Sequence, residues 1–178
     1  MMMSTTIQTF DIPKKEDVSV HSKKYFDYFK ERLGTMPNLF AVFAYSDYAL
    51  ESYFHLHSRK HHLNRQEIEV ISLIVATIFE CAYCQERHKM AARLNDFSEE
   101  QIHEITHGSA SFHPQLNALT RLVYRIAANR GNVENYLLSD FFAVGYTTAH
   151  LVDVLLSIGE NTIANMVCNT MNVPPDGL

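Results

Sequence analysis

Cysteine is scarce in this chain: three residues in 178 cannot make a disulfide framework. That points to a reducing compartment, and so to the cytoplasm, rather than to secretion. A positive excess is missing as well. The formal net charge of -5 argues against nucleic acid and against anionic membrane surfaces as partners. Long hydrophobic runs are absent, since the longest apolar stretch, near Val70 to Phe79, is too short to span a bilayer. Met1 to Asp11 holds no basic segment followed by an apolar one, so no signal peptide is visible. Convincing strand patterns are lacking too. What is present is 47% hydrophobic and 20% charged residues, the balance of a compact soluble protein with a real core.

The expected fold class is all-α: an antiparallel helical bundle forming a single domain over 1–178, with an irregular arm over 1–17. Val18 to Leu33 places Tyr25, Phe26 and Phe29 on one side, and Gly34 and Pro37 stop it. Asn38 is expected to cap a second helix running to about His62. Its polar end carries His57 and His61 at the i, i+4 spacing of metal ligands. No carboxylate follows at H-E-x-x-H spacing, and Arg59 and Lys60 would repel a cation, so an exposed helix end is the simpler reading. Asn64 with Glu67 resembles a capping box opening a helix to about Phe79. That helix is apolar on every side, as a buried helix is.

Further on, Ser98 with Gln101 opens a short helix and Pro114 starts another, with Leu116, Leu119, Leu122, Val123 and Ile126 as its stripe. A short helix is expected over Val133 to Val144. Thr147 or Thr148 caps a last long one to about Met171, where His150 and Asp153 are expected to pair. The Leu151 to Ile163 face and the aromatic segment Phe40 to Tyr53 offer more apolar surface than one bundle needs, which points to a homo-oligomer.

The chain's chemistry is concentrated in Glu80-Cys81-Ala82-Tyr83-Cys84-Gln85-Glu86-Arg87-His88. Two thiols at C-x-x-C spacing share the first turn of a helix and can close a disulfide or share a metal. A helix N-terminus lowers a thiol pKa from about 8.5. His88, one turn after Cys84, can act as its base. Glu69 sits inside the apolar helix, where a carboxylate needs a partner. No Gly or Pro marks a break between Phe79 and Cys81. One unbroken helix from Asn64 to Leu94 would run about 45 Å at about 1.5 Å per residue, long for this domain. A fold-back near Phe79 makes an antiparallel hairpin, and Glu69 and His88 then face each other. The result is a Glu-to-His-to-Cys relay suited to activating a nucleophile.

Glu69 and Cys81-x-x-Cys84-x-x-x-His88, followed by Ala91 and Ala92, resemble the signature of the alkylhydroperoxidase D-like, peroxidase-related branch of the carboxymuconolactone decarboxylase family. The likeness runs from about Asn38 to Asn172 and includes Phe141 to Thr147 and Glu160 to Asn165. It departs at Tyr83, where the best-studied type of member has a second histidine. The resemblance implies a helical fold that buries the dithiol, assembled as trimers or hexamers, and a hydroperoxide-reducing activity with no cofactor. It implies Cys84 as the attacking thiolate, Cys81 as the resolving thiol, and His88 and Glu69 as proton movers. The substrate is then a hydroperoxide, and a lipoyl protein or thioredoxin-like dithiol is the reductant.

Other chemistries fit less well. A thioredoxin-like site needs a preceding strand, and a c-type haem site needs histidine where Gln85 stands. A zinc site would take Cys81, Cys84 and His88 with Glu69 fourth, but no second C-x-x-C accompanies them. Decarboxylase chemistry does not call for paired thiols. A non-catalytic stress-response or partner-binding role stays open. Cys168 stands alone and reads as a buried structural thiol.

Overall fold

The computed structural model describes residues 10–176. The beginning of the arm expected over 1–17, and with it most of the segment read for a signal peptide, lies outside the described residues. The described residues are helical, with no strand among them. The chain divides into two compact units, Met1–Ser58 with Val167–Leu178, and Arg59–Met166.

In the first unit a short 3-10 turn, Lys15–Asp17, precedes α1 (Val20–Leu33). Ser19 caps α1 by accepting the Ser22 N–H, and Gly34 ends it at φ 79, a left-handed angle that glycine adopts without strain. The single helix expected from Asn38 to about His62 is two: α2 (Asn38–Phe43) and α3 (Asp47–His57). At the break the N–H groups of Ala44, Tyr45 and Ser46 bond three residues back, and the Ser46 side chain accepts from Ala49 N–H to start α3. A serine cap inside an apolar run was enough to restart the helix.

Asn38 is not the cap. Pro37 holds that position, and the Asn38 amide donates to the carbonyls of Pro174 and Pro175. Since α3 stops at His57 with Ser58 as its end residue, His57 and His61 share no helix face. Of the aromatic segment expected at an interface, Phe40 and Tyr53 are buried in this unit's own core, while Tyr45 and Tyr48 are exposed. Phe29 lies 4.4 Å from Phe40, and Phe43 stacks on Tyr53 at 4.2 Å.

The second unit is built around α4 (Arg65–Ile78), which packs against α5 (Ala82–Leu94), α6 (Glu99–Thr106) and α7 (Pro114–Ala128). Val70, Ile71, Leu73, Ile74 and Val75 are fully buried, which is why the α4 sequence is apolar all round. They meet Leu119, Leu122 and Val123 of α7, Phe141 of α8 (Asn135–Ala143), and Val154 and Ile158 of α9 (Thr148–Met171) in one core.

By length and composition α9 alone among the described helices is long and apolar enough to cross a membrane, although polar residues interrupt its apolar run. Its interior positions argue for a core helix instead. Ser157, Asn161 and Asn165 are buried on it, with the Asn161 amide donating to Ser157 O and the Asn165 amide to Asn161 O. The expected His150–Asp153 pair does not form. Asp153 accepts from the backbone N–H of His62 and faces its ring at 2.8 Å, while His150 bonds Thr147. A near neighbour on the same helix lost to a backbone donor from a loop, which costs no side-chain entropy to hold.

Candidate functional site

Four residues singled out by sequence lie on the α4–α5 hairpin. Asn64 caps α4 by accepting Glu67 N–H, and Glu67 returns the bond to Asn64 N–H. At the other end Glu80 takes φ 51, the position glycine normally fills. Glu80 N–H bonds Thr77 O and Cys81 N–H bonds Ala76 O, the paired 5→2 and 6→1 bonds that satisfy the last carbonyls of a helix. The fold-back is therefore made without Gly or Pro, at a left-handed cost of about 1–2 kcal/mol for a non-glycine residue.

Cys81 is itself the cap of α5. It has an extended backbone, and its sulfur accepts the Cys84 N–H at 3.4 Å. A backbone N–H and the first turn's dipole both aim at this sulfur, and both favour the thiolate. Cys84 is in the first turn, and both thiols are buried, 1% and 3% exposed. Tyr83 between them is buried too, as an aromatic packing role requires.

Three hydrogen-bonded rungs hold the hairpin in register. Near the turn the Gln85 amide donates to Ala76 O at 3.3 Å, and at the far end the Gln66 amide donates to Asn95 O at 2.9 Å. Between them His88 Nδ1 meets Glu69 Oε2 at 2.9 Å, with the carboxylate 13% and the imidazole 27% exposed. Glu69 thus has the partner its apolar setting demands. With Nδ1–H donated to the carboxylate, Nε2 is the ring nitrogen left to take a proton. His88 follows Cys84 by one helical turn on α5. Glu69 and His88 do not gather with the two cysteines into a metal-sized cluster among the described residues. Of the zinc set, Cys81 and Cys84 bring their sulfurs within 4.8 Å of each other, and the four residues together are not gathered among the described residues.

One supporting residue was not foreseen. Tyr146, in the loop before α9, donates its hydroxyl to buried Glu67 at 2.7 Å and stacks on Phe141 at 4.3 Å. Burial pushes the Tyr146 phenol well above its ordinary range, and the neighbouring Glu67 carboxylate pushes the same way. Glu67 thereby joins the α4 start to the loop before α9. The sequence carries a tyrosine there but no signal for its partner.

Residues 44–123 match the sequence profile of the Carboxymuconolactone decarboxylase family, a span that contains Glu69, Cys81, Cys84 and His88. Over this stretch the chain is similar to that family. No curated protein sequence matches the chain. Among solved structures, an uncharacterized peroxidase-related protein from Silicibacter sp. TM1040 is similar at TM-score 0.82 and 18% identity, over 99% of this chain and 96% of that one. A second, from Ralstonia eutropha JMP134, is described as an alkylhydroperoxidase AhpD core. It is similar at TM-score 0.83 and 16% identity, over 94% of this chain and 91% of the other. The debrominase Bmp8 is similar at TM-score 0.74 and 13% identity, over 99% and 95%. The fold is thus that of the alkylhydroperoxidase D-like structures, all-helical, with Cys81 and Cys84 at the start of α5.

Proposed function

We propose that this protein reduces hydroperoxides through Cys81 and Cys84, with Glu69 and His88 moving the protons. The observation that carries the reading is the 2.9 Å bond between His88 and Glu69, one turn along α5 from the buried Cys84 of the C-x-x-C pair. A carboxylate-held imidazole is a better base, and a better base eases thiolate formation. The names of the peroxidase-related fold relatives point the same way.

In the proposed cycle the Cys84 thiolate attacks the distal peroxide oxygen, the O–O bond breaks, and the alkoxide leaves as the alcohol after taking a proton from His88. Cys84 is now a sulfenic acid. Cys81 attacks its sulfur, an S–S bond forms and water departs, so the dithiol has supplied both electrons. The Cys84 N–H at Cys81 Sγ favours the thiolate form that this second step uses. A dithiol reductant, a lipoyl protein or a thioredoxin-like protein, restores the pair by exchange. The working protein is a cytoplasmic homo-oligomer, a trimer or hexamer, and needs no cofactor.

The test follows loss of free thiols together with consumption of hydrogen peroxide and of an alkyl hydroperoxide, in wild type and Cys84→Ser. Wild type should consume peroxide and lose two hydrogens in the peptide holding Cys81 and Cys84, and Cys84→Ser should do neither. A stable stoichiometric zinc complex that resists peroxide would place metal binding ahead of redox chemistry.

A further inference from the structure

Beside the first turns of α4 and the end of α5 lies an open cavity of about 710 Å³, within the range of small-molecule sites, about 300–1,000 Å³. Its walls are of two kinds. Leu63, Ile68, Ala91 and Leu94 form an apolar side, on which Leu94 is 79% exposed. Arg65 is exposed at the mouth. Arg59, Arg93, Arg121 and Arg125 each pair with a carboxylate, whereas Arg65 makes no ion pair or hydrogen bond among the described residues.

The carboxylate one turn along α4 from Arg65 is Glu69, which also lines the cavity. It would be the natural i, i+4 partner of Arg65. It is turned instead to His88 through Oε2, and its Oε1 makes no hydrogen bond among the described residues. The α4 start is meanwhile closed by its own cap. What remains is one uncommitted guanidinium with the His61 imidazole and the Asn64 and Asn95 side chains beside it, an apolar wall, and one carboxylate at the more sheltered end. That combination is complementary to a molecule with a single negative head and an apolar body, and Glu69 repels a second negative charge.

We infer that this cavity binds an amphipathic monocarboxylic acid, its head on Arg65 and its chain along Leu63, Ile68, Ala91 and Leu94. An acid seated there lies against the carboxylate that holds His88. The site stands on its own whether or not the thiols reduce peroxide.

The test is calorimetric titration of the full chain with sodium octanoate, with 1-octanol and octyltrimethylammonium as neutral and cationic controls. Octanoate should bind one to one, with octanol weaker by about tenfold, or about 1.4 kcal/mol. Arg65→Gln should bring octanoate to the level of octanol, and Cys84→Ser should bind as wild type does. Methyl resonances of Leu63, Ile68 and Leu94 should shift on addition. Absence of binding at millimolar octanoate, equal affinity for octanoate and octanol, unchanged affinity in Arg65→Gln, or shifts confined elsewhere would each overturn the inference. Because no peroxide is used, failure of the redox reading leaves these outcomes untouched.

Discussion

Replacing Glu69 with glutamine removes the negative charge facing His88 Nδ1 and keeps the side chain's shape. A hydrogen bond to a charged group contributes about 1.5–3 kcal/mol and a neutral one about 0.5–1.5 kcal/mol. The difference, about 1–1.5 kcal/mol, is roughly a tenfold change in a rate that depends on the imidazole as base. His88 is 27% exposed, so solvent screening places the effect toward the lower end of that range. His88→Ala removes the base itself and should cost about a hundredfold or more.

The two losses should not multiply, because Glu69 acts only through His88. The double variant should match His88→Ala. The measurement is the iodoacetamide rate constant for Cys84 at pH 7, in a background with Cys81 and Cys168 replaced by serine, and peroxide reduction in the full-thiol protein. Circular dichroism should confirm that helix content is unchanged. If the losses multiply in full, or if Glu69→Gln leaves the Cys84 rate untouched, Glu69 is a structural residue and the relay is wrong.

Glu80→Gly should leave the fold intact and raise stability by up to about 1 kcal/mol, since it relieves a left-handed residue at some entropic cost; denaturant unfolding reads this, and a clear loss would contradict the role given to the φ of 51. Tyr146→Phe should destabilise by about 1–3 kcal/mol by depriving buried Glu67 of a donor, with α-helix content retained. The Tyr146 phenol is raised in the folded state, so its stabilisation is whole below the unfolded tyrosine value of about 10 and is lost as pH rises above it; Tyr146→Phe should lack this alkaline fall relative to wild type. Sedimentation at micromolar concentration should show an oligomer, and Leu155→Glu should weaken it. Val152, Leu155, Leu156, Ile163 and Met166 are all exposed along α9, and a wild-type protein that is only monomeric would refute this.

Much of the fold can be read from local rules. The capping signals at Asn64, Ser98 and Pro114, the stripe of α7 and the all-round apolar α4 depend on neighbours in sequence. So does the C-x-x-C turn, whose two thiols share the first turn of any helix that starts at Cys81. The Glu69–His88 pair could be anticipated because a hairpin converts equal sequence distances from a turn into spatial contact. What could not be read was set by competition among distant partners. Glu80 accepts a left-handed backbone because the bonds from Glu80 and Cys81 to Thr77 and Ala76 outweigh its local strain. Ser46 ended a run that looked continuous, since cap and helix interior differ by only about a kcal/mol. Asp153 took His62 over His150, and Glu67 took Tyr146 across a long stretch of chain. Local sequence determined most of the helices, the break at Ser46 excepted, and where the thiols stand. The partner of each buried polar group was decided only by tertiary packing, because such groups must be satisfied by whichever donor the finished core brings within reach.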